Sequence, residues 1–466
     1  MTSEEEKQCL LAAKEYLGKD QFEDAMPLIM SVLRENADNP HAIHLLGWCY
    51  MKAGEAHTPL AYQLYRRAVS IAPNRKELWN NLSRCADEMH LYEEALGYSL
   101  KTIEIDPKYV TGYSNAACSL VNMARYEEAL KYAEAGLELA PEDRNCLCNK
   151  GFALLGLHRW EEAWKFYEHT LGFRFRMEWT YGDEPRWDGS PGKTVIIYGE
   201  QGIGDELMYA QCIPEAQADC KKVIIDCDER LQGLFRRSFP GCDVHGTRRR
   251  DKLEWLDGKK WDARCAIGSL AMFYRTSEAS FTKKPFLVAD PERRVMWRAL
   301  FDGYKKPVIG ISWSGGRELT GSRARKLELS DFLPLMRKLD AEWVSLEYKD
   351  RTEEIDEFKK KYGITIHNFQ WINKSEDYDD TAAMIAELDY VVGIHTTALH
   401  CAGGLGKKVL CFAPAKPQWR YAQDSFPWYG DFKIHRQRKD EAWIETLSRV
   451  DLAYFGKLFS RAKKAA

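Results

Sequence analysis

Apolar positions over the first ~175 residues recur with helical spacing, and the pattern itself repeats. Tyr92-Glu-Glu-Ala-Leu96 returns as Tyr126-Glu-Glu-Ala-Leu130 and again as Trp160-Glu-Glu-Ala-Trp164, each 34 residues on. Asn81, Asn115 and Asn149 keep the same step, as do Pro73, Pro107 and Pro141. Two degenerate copies lie upstream, around Phe22-Glu-Asp-Ala25 and around Leu45-Leu-Gly47 with Ala61. A unit of this length predicts a helix hairpin that cannot bury its apolar face alone, and about five stacked hairpins make a curved solenoid with a concave groove. After Phe175 the pattern changes. Asp183-Glu-Pro-Arg-Trp-Asp-Gly-Ser-Pro-Gly192 is turn-rich and reads as a linker. Short apolar runs follow at 194–198, 222–226, 308–312, 343–347, 390–393 and 408–412, separated by helix-length segments. Such runs predict parallel sheets built from βαβ units.

The 34-residue period, with small residues at helix crossings and proline after the second helix, resembles the tetratricopeptide repeat. The expected fold class is therefore multidomain, α plus α/β. A repeat solenoid covers 1–177, a linker 178–192, and two Rossmann-like domains 193–305 and 306–440. A last helix near 440–463, within 441–466, packs back on one of them. Lys305-Lys306-Pro307 would be the hinge between the two α/β domains.

The chain has 466 residues, enough for about three domains. Hydrophobic residues make up 45% and charged residues 29%. No stretch approaches the ~20 apolar residues of a membrane helix, which excludes an integral membrane helix protein and a mostly disordered one. The start, Met1-Thr-Ser-Glu-Glu-Glu-Lys7, is acidic and has neither a secretory nor a transit pattern. Lys and Arg number 67 against 70 Asp and Glu, a net charge of −3, which argues against a dedicated nucleic-acid binder. Thirteen scattered cysteines point to a reduced, cytoplasmic setting without a disulfide framework or structural zinc. His41 and His44 share a helix face but find no third ligand in the pattern.

In parallel α/β sheets ligands sit beyond the carboxyl ends of the strands, so the loops after the predicted strands are where chemistry is sought. Gly199-Glu-Gln-Gly-Ile-Gly-Asp205 follows the first strand; Asp205 reads as a helix N-cap or as an acid facing a ligand. His395-Thr-Thr397 opens a helix rich in small residues, either as an anion site of free amides and hydroxyls or as ordinary capping and close packing. Gly310-Ile-Ser-Trp-Ser-Gly-Gly316, with Arg317, Arg323, Arg325 and Lys326 after it, suits a diphosphate or a solvated loop. Glu347, at another strand end, can accept ribose hydroxyls or face solvent. Asp226-Cys-Asp228 reads as strand-end acids before it reads as a metal motif, and Arg248-Arg249-Arg250 as a solvated loop or a patch for an anionic partner.

Taken together, the loops resemble a family. The run from Arg186-Trp-Asp-Gly through Gly199–Asp205 to Ile213-Pro214 resembles bacterial tetratricopeptide-repeat proteins with a glycosyltransferase-like C-terminal half, related to the ADP-heptose:lipopolysaccharide heptosyltransferases of glycosyltransferase family 9. The resemblance continues through Ile311-Ser-Trp-Ser-Gly315, Val344-Ser-Leu-Glu347, Asp380-Thr-Ala-Ala383, and Leu388-Asp389 with Thr396 and His400-Cys-Ala-Gly-Gly-Leu-Gly-Lys407. It ends in Trp419-Arg-Tyr421 and Ser425-Phe-Pro-Trp-Tyr429, and so spans roughly 186–440. It implies a GT-B fold and an inverting, metal-independent glycosyltransferase with no cofactor beyond its nucleotide-sugar donor. By that match Asp205 is the general base, and Thr396, Thr397, Arg325 and Lys326 stabilise the leaving diphosphate. Glu347 holds the ribose, and Ser312, Ser314, His395 and His400 line the donor site. Where the family often has Asp, this chain has His395, and Gly393-Ile-His-Thr-Thr397 resembles the phosphate-contacting stretch of O-GlcNAc transferases. Those enzymes also join such repeats to a GT-B module and hold acceptor polypeptide with groove asparagines. Asn81, Asn115 and Asn149 would then form an acceptor groove for a protein or glycan, or else serve packing within each hairpin. The alternative function is a non-catalytic adaptor whose glycosyltransferase-like half is degenerate.

Overall fold

The computed structural model describes residues 2–173, 175–248, 250, 252–315, 327–373, 377–424 and 426–456. The chain divides into two compact units, Met1–Leu157 and His158–Ala466.

The first unit is helical, with nine α-helices among its described residues, from Ser3–Gly18 to Arg144–Gly156. Local chemistry explains the period. In the two central hairpins the first helix ends on a residue in the left-handed conformation, His90 at φ 62° and Ala124 at φ 58°. The N–H groups of Leu91 and Arg125 then reach back to the carbonyls of Ala86 and Leu120, a Schellman closure that satisfies the helix end. In three hairpins the cap that ends the second helix directly precedes proline. Ala72, Asp106 and Ala140 have φ of −130°, −141° and −144°, the extended backbone that a following Pro ring imposes. Small residues let aromatic rings seat between helices. A Cβ on Gly47 would fall 2.8 Å from the Tyr65 ring, and one on Gly156 would fall 2.6 Å from the Tyr126 ring.

The three register asparagines bind from repeat to repeat. The amide of Asn81 lies 2.7 Å from Nε2 of His44, Asn115 donates to Oδ1 of Asn80 at 2.9 Å, and Asn149 donates to the Ser114 carbonyl at 2.8 Å. Asn149 is buried. The position thus ties each hairpin to the one before it, rather than serving within a single hairpin.

The unit boundary falls ahead of the third motif copy, not at 177. The helix Trp160–Tyr167 lies in the second unit, with Trp164 1% exposed and donating its indole N–H to the Arg275 carbonyl at 2.7 Å. Its ring meets Tyr209 and Trp419. Tryptophan stands here where the other copies carry Tyr92 or Tyr126 and Leu96 or Leu130, so this helix offers a larger apolar face.

The second unit holds two parallel sheets. The first has strands β1 (Thr194–Tyr198), β2 (Lys222–Asp226), β3 (Asp243–His245) and β4 (Ala263–Ala266) in the order β3-β2-β1-β4. The second comprises β5 (Val308–Ser312), β6 (Glu342–Ser345), β7 (Ile366–His367), β8 (Tyr390–Ile394), β9 (Lys408–Ala413) and β10 (Phe432–Arg436) in the order β10-β9-β8-β5-β6-β7. Every pairing is parallel. The central runs β1, β5 and β8 are apolar because both of their faces are covered. The turn-rich stretch is no free tether. Arg186 bridges to Arg264 on the β4 edge, Trp187 is buried, and the Tyr181 hydroxyl donates to Asp226 at 2.7 Å.

Lys305-Lys306-Pro307 does not separate the elements of the two sheets. The helix Pro291–Asp302, read as part of the first α/β domain, packs with the second sheet's layer. Its Trp297 meets Phe369 and Trp371, while Arg294 and Arg298 pair with Glu387 at 2.6 and 3.1 Å. Residues 457–466 of the expected last helix lie outside the described residues, and among those described before them the segment is not one continuous helix. A helix Trp443–Ser448 and a turn Leu452–Phe455 set Leu447, Val450 and Phe455 into the core of the six-stranded sheet.

Candidate functional site

The loop after β1 is shaped by two buried acids. A Cβ on Gly199 would stand 2.3 Å from the carboxyl carbon of Glu206, and one on Gly268 2.5 Å from Oε1 of Glu200, so a side chain at either place would push a buried carboxylate from its contacts. Glu200 accepts from Arg176 at 3.2 Å, Gln201 at 3.0 Å and the Gly268 N–H at 3.2 Å. Arg176 is fully buried. It also binds Glu168 at 3.1 Å and Ser269 at 2.8 Å, and lies 4.5 Å over the Tyr167 ring.

Glu206 is fully buried and takes the Asp228 N–H at 3.0 Å. Nη1 of Arg248 stands 2.5 Å from its Oε1 but gives its N–H to the Gln201 carbonyl. Arg248, read as part of a solvated run, is buried between Glu206 and Asp228. Arg249 lies outside the described residues, and Arg250 pairs with Glu229 at 2.5 Å on the surface. Burial pushes the Glu206 carboxyl up to about 8, against the pull of Arg248. A folded chain then keeps a proton that the unfolded chain has lost above its ordinary carboxylate range. Stability contributed by this proton falls as pH rises towards 8. Between pH 5 and 8.5 the parent should lose denaturation midpoint more steeply than Glu206→Gln; parallel pH profiles would contradict this.

The chain turns into the helix Ile203–Tyr209 on Gly202 as N-cap, and Asp205 is its third residue rather than the cap. One carboxylate oxygen accepts the Gly202 N–H at 3.3 Å; the other pairs with Nη2 of Arg420 at 2.9 Å. Asp205 is partly exposed and Arg420 nearly buried. Arg420 also donates to Gln201 at 3.3 Å and lies 4.6 Å over the Trp419 ring.

The second wall comes from β8. Thr396 caps the helix Thr397–Gly404, and its hydroxyl lies 3.1 Å from that of Ser312 at the end of β5. His395 is buried and stacks on Tyr421 at 4.0 Å. His400 sets Nε2 2.9 Å from the Tyr421 hydroxyl and Nδ1 3.1 Å from that of Tyr429. Burial pushes its imidazole down to about 4, so the ring is neutral near pH 7.

The two walls touch. A Cβ on Gly204 would lie 3.4 Å from Oγ1 of Thr397 and 3.4 Å from Cδ2 of His400. The structure therefore brings Asp205, Arg420, Thr397 and His400 to one place, with Thr396 and Ser312 beside them. Glu347 stands apart in its bonding. It is 1% exposed and accepts from the hydroxyl of Ser312 at 3.2 Å, the N–H groups of Trp313 and Ser314 at 2.8 and 2.9 Å, and the Ser314 hydroxyl. A ribose hydroxyl has to displace one of these to reach it. Arg325 and Lys326, like Arg317 and Arg323, lie outside the described residues. Asp226 accepts from Tyr181 and Thr247, and Asp228 from Arg230 and Arg248, so both acids of that pair hold the fold. Among the described residues no group of three or more His, Cys, Asp or Glu is arranged to hold a metal ion. Arg420 is a site residue to which the sequence assigns no role; its only signal there is a cation set between two aromatic residues in Trp419-Arg-Tyr421.

Comparison with known proteins bears on the first unit most directly. Residues 110–143 match the tetratricopeptide repeat family. Protein FlbA of Caulobacter vibrioides is 30% identical over 286 residues, covering 58% of this chain and 48% of FlbA. The chain thus spans about half the length of the curated relative it matches. Among solved structures, a MamA protein is 18% identical with a TM-score of 0.32, over 37% of this chain and 92% of its own. A structure of Pseudomonas aeruginosa pilF is 20% identical with a TM-score of 0.33, over 36% and 75%. No described helix is long and apolar enough to cross a membrane. The chain carries tetratricopeptide repeats ahead of a parallel-sheet α/β region, and such repeats suggest a role in protein interaction.

Proposed function

We propose that the second unit is a GT-B-type glycosyltransferase, two Rossmann-like lobes that move a sugar from a nucleotide-sugar donor to a hydroxyl of a protein or glycan recruited by the repeats. The observation that carries the reading is the contact of Gly204 with Thr397 and His400, which sets Asp205 beside a helix start suited to a diphosphate. In the proposed reaction Asp205 accepts the proton of the acceptor hydroxyl as that oxygen bonds to the anomeric carbon. The bond from that carbon to the diphosphate oxygen breaks, its electron pair leaves with the nucleotide, and configuration inverts. The Thr396 and Thr397 hydroxyls and the amides of that turn stabilise the departing charge, with Arg420 close by. Neutral His400 holds Tyr421 and Tyr429 rather than moving a proton.

A panel of nucleotide sugars tests this: one should bind and be slowly hydrolysed by the full chain. Failure of both binding and hydrolysis across the panel would overturn the reading. A second reading, an adaptor with a degenerate catalytic half, has its own support. Asp205 is ion-paired and Glu347 is bonded internally, so both carboxylates are already engaged within the fold.

A further inference from the structure

Beyond the cleft, the carboxyl rim of the six-stranded sheet holds a second concave feature. A depression of about 500 Å³ is lined by Lys416, which follows β9, by Arg436, Gln437, Arg438 and Lys439 at the end of β10, and by Arg449. Five of these side chains are cationic and none is acidic, in a chain whose net charge is −3. Like charges brought together repel; Glu441, bound to Arg449, offsets part of that repulsion, and a bound anion would offset more of it.

The cations divide into a frame and a front. Arg449 is fixed on Glu441 at 2.5 and 2.7 Å and on the Arg436 carbonyl at 2.8 Å. Arg436 donates to the carbonyls of Tyr421, Ala422 and Gln423 at 2.8, 3.1 and 3.0 Å, with Asp424 3.7 Å away. These two guanidinium groups are held in place by the fold. Arg438 and Lys439 are exposed; Glu441 accepts the Arg438 backbone N–H at 2.8 Å, while the two cationic heads make no ion pair among the described residues. Cations come from three separate segments around one concavity, which suits a compact, multiply charged group rather than an extended acidic peptide. No aromatic ring lines it, so nothing there stacks a base. We infer that this rim binds the diphosphate or polyphosphate group of a soluble small molecule, at a site separate from the Asp205 cleft.

Calorimetric titration of the full chain with inorganic pyrophosphate tests the inference. The comparison is the Arg438→Ser/Lys439→Ser variant, whose changes are on the surface and outside the cleft. Pyrophosphate should bind the parent in a salt-dependent way. The variant should bind it at least about tenfold more weakly, since two charge-assisted contacts are lost. Sulfate should compete poorly. Equal affinity in parent and variant, equal binding of sulfate, or capture only of phosphatidic-acid vesicles or of acidic peptide would each overturn it. Because Arg438 and Lys439 are not among the residues gathered around Asp205 and Thr396, nucleotide-sugar binding should be the same in parent and variant, which separates this result from the fate of the transfer reading.

Discussion

Asp205→Asn should cost about 100- to 10,000-fold in sugar transfer while nucleotide-sugar affinity stays near that of the parent, the range expected when a positioned general base is removed. The substitution is nearly isosteric. The remaining carbonyl oxygen can still accept the Gly202 N–H that Asp205 accepts at 3.3 Å, so the start of the helix Ile203–Tyr209 is kept. What is lost is the basic oxygen and the charge facing Arg420 at 2.9 Å. Arg420→Gln separates the two effects. If Arg420 restrains Asp205, its loss should raise basal hydrolysis of the donor; if it stabilises the leaving diphosphate, both binding and turnover should fall. Transfer by Asp205→Asn at the parent's rate would remove Asp205 as the base.

Arg176→Met should lower the stability of the second unit by about 3–5 kcal/mol, the cost of leaving a buried charge without its partner. Arg176 has no exposed surface, and its partner Glu200 is 1% exposed. Burial already raises the Glu200 carboxyl, and Arg176 is what opposes that rise. Without the cation Glu200 must take up a proton or break its contacts with Gly268 and Gln201, so the loop carrying Asp205 loosens as well. Denaturant unfolding of the full chain measures the first effect. The double variant Arg176→Met/Glu200→Gln should recover part of the loss, because Glu200 is no longer an orphaned charge and only the partly exposed Glu168 still lacks its cation. An unchanged midpoint in the single variant would contradict the assignment.

The elements legible in the sequence are those whose local pattern has only one cause. The proline and asparagine steps mark the hairpins, since proline records the turn after each of three second helices and asparagine the bond from one repeat to the next. β1, β2, β5, β8 and β9 are continuous apolar runs of buried strands, and their bounds follow closely. β4 reads Ala-Arg-Cys-Ala and β10 Phe-Lys-Ile-His-Arg, too short or too polar to stand out, because an edge strand covers only part of its surface. The Trp160 motif was legible as a repeat, but a motif does not say which neighbour its face will meet. The candidate site divides in the same way. The two strand-end loops could be found by where they sit, whereas the pairing of Asp205 with Arg420 joins residues far apart in sequence. Arg248 looked like one of three surface cations, and only the fold reveals that it neutralises the interior.

The placement of Trp164 and Arg176 has a practical consequence for dissecting the molecule. A fragment trimmed to begin at 178 would leave behind the indole that fills the space beside Tyr209 and Trp419, and would strand Glu200 with no counter-ion. A fragment beginning at 158, where the second unit starts, keeps both, and with them the support of the Asp205 loop.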